Sequence, residues 1–241
     1  MFGKNKVVKV EKSQQLFIPI QEIFETIQGE GPFSGERAVF VRFAECSLRC
    51  TWCDTDFESK SHPMSVVDIV RVIQKYNSKL VVITGGEPLL RDRLAELCSV
   101  LEDLRYVVQV ETSGSVCSES FLDYLREEGT QVHIVCSPKT SKIVEGLIPF
   151  IEFYKYVIIA NETGDDGLPV YSTQSPGKKT VLYRPKDLIG KLIYVSPCDS
   201  HDEEKSKANL QEAINSVMKN GYRLSLQVHK IISCPNSKWK I

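Results

Sequence analysis

Apolar residues fall along the chain in two alternating rhythms. Short β-rich runs occur at Arg37–Phe43 (RAVFVRF), Leu80–Thr84 (LVVIT), Tyr106–Glu111 (YVVQVE), Gln131–Cys136 (QVHIVC), Phe153–Ala160 (FYKYVIIA), Lys191–Val195 (KLIYV) and Arg223–Val228 (RLSLQV). Between them, Val66–Tyr76, Leu89–Leu104, Glu119–Glu128 and Glu203–Asn220 place apolar residues at helical spacing, the last with Gly221 as its C-cap. Strands alternating with helices predict a parallel sheet built from βα units. Residues 1–15 read as a flexible N-terminus and residues 16–241 as one domain. Within that domain, residues 161–187 (NETGDDGLPVYSTQSPGKKTVLYRPKD) break the rhythm with Gly, Pro, Asp and Ser. They read as an irregular insertion with room for a short hairpin, not as a domain boundary. No internal repeat or long low-complexity segment is present.

Composition changes this picture little. The 241 residues are 42% hydrophobic and 25% charged, ordinary for a globular protein with a substantial core. Thirty basic against 31 acidic residues leave a formal net charge of -1, which gives no support for nucleic acid or anionic membrane as the main partner. No apolar run approaches the length of a membrane span. The first residues, MFGKNKVVKVEKSQQ, lack the apolar stretch of a secretory signal, so the cytoplasm is the expected location. In that reducing compartment the eight cysteines should be thiols or metal ligands.

The chemically unusual segments sit just after strands. The cysteines at 46–53 follow Phe43, Thr84-Gly-Gly-Glu-Pro follows Ile83, and Glu111-Thr-Ser-Gly follows Val110. Ser137-Pro-Lys follows Cys136, Ser196-Pro follows Val195, and His229-Lys follows Val228. In a barrel of parallel strands these loops meet at one face, where such folds place their active sites.

Cys46-Ser-Leu-Arg-Cys50-Thr-Trp-Cys53 has the form C-x3-C-x2-C. Three thiolates on one tight loop can hold a [4Fe–4S] cubane and leave one iron open to a chelating ligand, where a closed cluster takes four cysteines. A structural zinc site wants four closed ligands, and the next such residue, His62, lies well past Cys53. Gly85-Gly86-Glu87-Pro88 suits close approach of backbone to a ligand, with carbonyls and the Glu87 carboxylate as acceptors for an ammonium group. Taken alone, it would be a strand-to-helix turn with Pro at the first helical position. Cys98 and Cys117 read as packing thiols. Cys136, Cys198 and Cys234 lie near strand ends at scattered spacings, and His229 is at most a substrate contact.

Together, the C-x3-C-x2-C after a first strand and the Gly-Gly-Glu-Pro after the next resemble the radical S-adenosylmethionine (SAM) superfamily. That resemblance implies an α/β fold, a partial, six-stranded TIM-like barrel. It also implies that Cys46, Cys50 and Cys53 hold the cluster, that SAM chelates the open iron, and that Trp52 packs near the adenine. Reduction then cleaves SAM to an adenosyl radical. From about Phe24 to Lys230 the chain further resembles the 7-carboxy-7-deazaguanine synthase family. The resemblance rests on Glu25-Thr-Ile-Gln-Gly-Glu-Gly31, Arg42, Cys53-Asp-Thr55, Thr84, Glu111-Thr-Ser-Gly114, Ser137-Pro-Lys139 and Gln227-Val-His-Lys230.

This second resemblance implies ring contraction of 6-carboxy-5,6,7,8-tetrahydropterin to 7-carboxy-7-deazaguanine with loss of ammonia, in queuosine and deazapurine biosynthesis. It places Ile27, Gln28, Gly29, Arg42 and Thr84 on the substrate, Arg42 facing its carboxylate. Gly85, Gly86, Glu87, Ser137, Pro138 and Lys139 would bind SAM, and Thr55 would ligate Mg²⁺. It further implies a homodimer supplied with electrons by a donor such as flavodoxin or ferredoxin. Each residue has an ordinary alternative: a strand-end cation for Arg42, a turn for Gln28-Gly29, a helix cap for Thr55, a plain loop for Ser137-Pro-Lys. The weight lies in their joint occurrence in order. The chain departs from the family in continuing past the His-Lys pair through Ile231–Ile241. Two other readings remain at this stage. A glycyl-radical-enzyme activase would share the cysteine motif but not need Gln28-Gly29-Glu30-Gly31 or Thr55. A zinc- or iron-binding regulatory module would lack SAM affinity.

Overall fold

The computed structural model describes residues 7–9, 16–51, 53, 60–174 and 179–232, and of His229 the backbone alone. Strands β1 (Ile18–Ile27), β2 (Arg37–Phe43), β3 (His62–Met64), β4 (Leu80–Gly85), β5 (Val107–Thr112), β6 (His133–Cys136), β7 (Ile151–Ile158), β8 (Leu192–Pro197) and β9 (Arg223–Leu224) form one open sheet. Its order is β3-β1-β2-β4-β5-β6-β7-β8-β9. From β2 to β9 every neighbouring pair is parallel, while β1 runs antiparallel to both β2 and β3. This is the partial-barrel α/β architecture expected: the six parallel strands after Phe43 are β4 to β9, and β3 is a short antiparallel edge strand beside β1.

Helices α1 (Val66–Ile73), α2 (Leu94–Asp103), α3 (Glu119–Arg126) and α4 (Glu203–Asn220) fill the crossovers. Their ends follow local chemistry. Ser65 caps α1 by accepting the Asp68 N–H, and Asp202 caps α4 by accepting the Lys205 N–H. Gly221 closes α4 at φ 73°, its N–H reaching the Val217 carbonyl. Most expected boundaries move by three residues or fewer, and two shift further. The helix read from Leu89 starts at Leu94, because Pro88–Leu90 first forms a tight turn capped by Glu87. The strand read over Arg223–Val228 ends at Leu224, because the chain leaves the sheet to donate the Val228 N–H to the Gly29 carbonyl at 3.1 Å. Val228–Ile231 then form a short helix, α5.

Strand parity divides the molecule into two compartments. Val39, Val41 and Phe43 of β2, Val81 and Ile83 of β4, Val108 and Val110 of β5, and Ile134 of β6 point outward into one core. Tyr154 and Tyr156 of β7 and Val195 of β8 join them, packed against the helices. The alternate residues point inward. Low in the barrel, Ala38, Leu80, Val82, Phe33 and Phe40 plug it with apolar side chains. Higher up, most inward positions are polar, with Val135 and Val157 as apolar exceptions.

A bulge in β1 breaks its parity. Ile20 pairs with Phe43 and Glu22 with Arg42, so two residues of β1 oppose one step of β2 at Gln21. Before the bulge, even-numbered Ile18 and Ile20 face the outer core. After it, even-numbered Glu22, Phe24 and Thr26 line the interior cavity.

The described residues between 161 and 187 form a return, with antiparallel bridges Thr163 to Pro169 and Tyr171 to Lys179. They dock on α4: Ser216 Oγ donates to the Gly167 carbonyl at 2.7 Å and Lys219 Nζ to the Asp165 carbonyl at 2.9 Å. Among the described residues, no helix is long and apolar enough to cross a membrane.

Candidate active site

A cavity of about 390 Å³ opens at the carboxyl ends of the parallel strands. That volume lies within the range of small-molecule sites. Cys46, Cys50 and Cys53 all line it, from the loop after β2.

That loop is sewn to the end of β4. The Gly86 N–H donates to the Phe43 carbonyl at 2.8 Å and the Glu87 N–H to the Glu45 carbonyl at 2.7 Å. The two backbones run so close that only glycine fits. A Cβ on Gly85, which sits at φ +120°, would lie 2.3 Å from the Phe43 backbone, and one on Gly86 would lie 2.0 Å from the Glu45 oxygen. The Gly-Gly pair therefore sets the cysteine loop against the sheet. The Cys53 N–H to Cys50 carbonyl bond (3.4 Å) and the Ser47–Ser115 hydroxyl pair (3.1 Å) brace the loop further.

Burial pushes the Cys46 thiol up to about 12, with the Glu87 charge and the two neighbouring thiols acting the same way, against a Leu48 N–H donated to its sulfur. Metal-free, Cys46 is thus protonated at neutral pH, and iron binding must displace that proton. Three sulfur donors on the rim of one cavity fit a cubane with an open corner. Among the described residues, no group of three or more His, Cys, Asp or Glu gathers as a single metal ion would need. A cubane asks for something else, since each thiolate binds its own iron.

Glu87 departs from expectation. It is 1% exposed and lies behind the cavity wall. One carboxylate oxygen accepts the Thr112 hydroxyl (2.6 Å) and the Leu89 N–H (3.2 Å), the other the Ser113 N–H (2.9 Å) and the Ser113 hydroxyl. Burial raises its pKa, while these four donors pull the other way. Its carboxylate is engaged in holding the turn after β4, which leaves the backbone of Gly85 and Gly86 on the cavity side.

The cavity floor is polar. Glu111 accepts from Gln28 Nε2 (3.1 Å) and Gln109 Nε2 (3.0 Å) on one oxygen and from Thr84 Oγ1 (2.8 Å) on the other. Arg42 Nε donates to Glu22 at 2.9 Å, and its guanidinium lies 5.9 Å from the Phe24 ring centroid. Phe24 stacks on Phe40 at 5.5 Å, giving the cavity an aromatic wall. Lys155 pairs with Glu30, both largely buried. Ser137 Oγ donates to the Lys155 carbonyl at 2.8 Å, and Lys139 Nζ approaches Ser137 Oγ at 3.4 Å.

Of the residues singled out from sequence, Ile27, Gln28, Arg42, Thr84, Gly85, Gly86, Ser137 and Lys139 line this cavity with the three cysteines. Gly29 and Pro138 stand next to lining residues without lining it themselves, Gly29 giving its carbonyl to Val228. Thr55, Trp52 and Cys234 lie outside the described residues. Cys98 is fully buried on α2, and Cys136 lies under Gly114, where a Cβ would meet its sulfur at 2.9 Å. Sequence reasoning gave no role to Glu22, Phe24, Glu30, Phe40, Glu111 or Lys155, all of which line the cavity. For Phe40, Glu111 and Lys155 a signal existed: each falls on the inward parity of its strand.

Comparison with known proteins points the same way. The sequence model of the radical SAM superfamily matches residues 41–143. The 7-carboxy-7-deazaguanine synthase of Rhodospirillum rubrum is 43% identical over 241 residues, covering 96% of this chain and 99% of its own. That of Rickettsia prowazekii is 34% identical over 248 residues, covering 96% of this chain and 95% of its own. The crystal structure of QueE from Escherichia coli superimposes with a TM-score of 0.63 at 24% identity, covering 91% of this chain and all of that one, a likeness of fold. With a cysteine loop, a glycine turn and a polar floor around one cavity, and relatives alike over nearly their whole length, the chain belongs to the 7-carboxy-7-deazaguanine synthase family of the radical SAM superfamily.

Proposed function

We propose that this chain converts 6-carboxy-5,6,7,8-tetrahydropterin to 7-carboxy-7-deazaguanine with release of ammonia, as a radical SAM lyase. The observation that carries this reading is the meeting of the three cysteines and the Arg42, Thr84 and Glu111 side chains on one cavity. When bound, the cluster and SAM supply hydrogen abstraction at a ring carbon. The chain's own residues bind and orient. Arg42 takes the substrate carboxylate in a guanidinium fork, beside or in exchange for Glu22. The stacked Phe24–Phe40 wall borders a flat ring, and Glu111 accepts N–H donors from its pyrimidine half, oriented by Gln28 and Thr84. Ile27 and Gly29 complete that side. The Gly85 and Gly86 backbone, with Ser137, Pro138 and Lys139, holds SAM.

Mg²⁺ on Thr55 is part of the proposal on the strength of the family resemblance, as are a homodimer, a flavodoxin or ferredoxin donor and a cytoplasmic setting. The boundaries read from sequence, with residues 16–241 as one domain, belong to it too.

The test is anaerobic turnover with dithionite, SAM and 6-carboxytetrahydropterin, following the deazaguanine and ammonia. Formation of both is expected. SAM cleavage that leaves the pterin intact and installs a radical on a partner protein would favour an activase instead.

A further inference from the structure

The insertion at 161–187 has no part in the reaction described above, yet it reaches the cysteine loop. Thr173 Oγ1 donates to Cys50 Sγ at 3.2 Å, and Gln174 Nε2 donates to the same sulfur at 3.3 Å. Gln174 Nε2 also donates to Thr173 Oγ1 at 2.7 Å, while its Oε1 accepts the Arg49 N–H at 2.9 Å. The hydrogens are all accounted for. The two amide hydrogens go to Cys50 and Thr173, and the single hydroxyl hydrogen goes to Cys50. Because the Arg49 N–H fixes which end of the amide is oxygen, the NH₂ end must face the sulfur.

The segment is braced from behind. Ser172 Oγ accepts the Gln174 N–H at 3.1 Å and donates to the Lys139 carbonyl at 3.0 Å. Thr173 is 6% exposed, so its bond to sulfur is shielded from water. Cys46, by contrast, accepts a longer N–H bond from its own loop, Leu48 at 3.4 Å.

We propose that Thr173 and Gln174 cap the Cys50 corner of the cluster, fixing that sulfur and raising the reduction potential. Reduction adds an electron to the cluster and negative charge to its sulfurs. A donor aimed at a sulfur therefore stabilises the reduced form more than the oxidised form, and the couple moves to higher potential. The insertion, anchored on α4 and on the loop after β6, holds those donors in place. This inference rests on the cluster reading but not on the identity of the substrate.

The experiment uses the full chain, reconstituted anaerobically, with potentiometric titration followed by electron paramagnetic resonance. Wild-type protein with about four irons per chain establishes the cluster independently. A Thr173→Val, Gln174→Leu double variant should keep its iron and become about tenfold harder to reduce, a midpoint lower by about 59 mV for a one-electron couple. Thr173→Val alone should show part of the shift, and Thr173→Ser, which keeps the hydroxyl, should match wild type. If the double variant loses iron, Thr173→Val decides by the same reading. Full iron with an unchanged midpoint overturns the proposal, and so does a Thr173→Ser variant that shifts as far as Thr173→Val.

Discussion

Arg42 lines the cavity where β1 and β2 pair side by side, bonded to Glu22 on the neighbouring strand and beside an aromatic ring. A substrate carboxylate brought into that recess loses water, and only a matched cation offsets the cost. Arg42→Ala should therefore weaken substrate binding by about 1.5–3 kcal/mol, roughly tenfold to a hundredfold in dissociation constant. Arg42→Lys should restore little of this, because a point charge cannot make the paired bonds of a guanidinium fork. Equilibrium binding of the pterin to the cluster-loaded protein reads both, and an Arg42→Ala variant that binds normally would remove Arg42 from the site. The cysteines separate just as sharply. Cys50→Ala should abolish the iron chromophore, whereas Cys98→Ala, buried in the α2 core, should leave iron content unchanged and cost only packing.

At the scale of elements, the turn after β4 shows how local sequence and site chemistry interlock. A Cβ on Gly86 would press on the Glu45 carbonyl, a backbone atom with nowhere to go. Gly86→Ala should destabilise the protein by about 1–3 kcal/mol and also reduce iron retention, because the displaced segment carries the cysteines. Glu87→Gln tests the same turn from inside. The amide would turn an N–H₂ group toward backbone N–H donors at Leu89 or Ser113, leaving one buried donor unsatisfied, at a cost of about 1–3 kcal/mol. Thermal denaturation measures both, and a Glu87→Gln variant with unchanged stability would mean that these contacts do not hold the turn.

Elements also explain what the sequence did and did not disclose. The parallel strands were legible because their outward faces are apolar, and α4 because its cap residues mark both ends. Strand β1 was not. Its bulge at Gln21 reverses the facing of alternate residues partway along, and its inward side carries Glu22 and Thr26 because it lines a site instead of a core. Either feature alone erases the period of two on which strand recognition depends. The cysteines, Arg42, Thr84 and the glycines were legible from motif. Glu111 stood in a quoted motif without a role, and its place in the cavity, like that of Lys155, followed only once the parity of β5 and β7 was fixed. Glu30 stood in the quoted Glu25–Gly31 motif, but its role stayed hidden because its partner Lys155 lies far along the chain.

For the molecule as a whole, the open sheet leaves its reactive groups on loops and its stability in the outer core. The cysteine loop is tied to β4 through Gly86 and Glu87, to the loop after β5 through Ser47, and to the insertion through Gln174. The apoprotein fold therefore should not depend on iron, but the cofactor site should. The family resemblance implies that SAM's amino and carboxylate groups would chelate the open iron, so SAM should bind, and stabilise, only the cluster-loaded protein. Binding that favours the folded state adds about 2.7 kcal/mol at a ligand concentration one hundred times the dissociation constant. For a chain of this length that corresponds to a rise of about 5–10 °C in melting temperature. Melting under anaerobic conditions, with and without SAM, should show that rise for cluster-loaded wild type and none for Cys50→Ala. An equal rise in both would mean that SAM is held by the loops around Gly86 and Ser137 without the iron, and the role assigned to the three cysteines in SAM binding would fall.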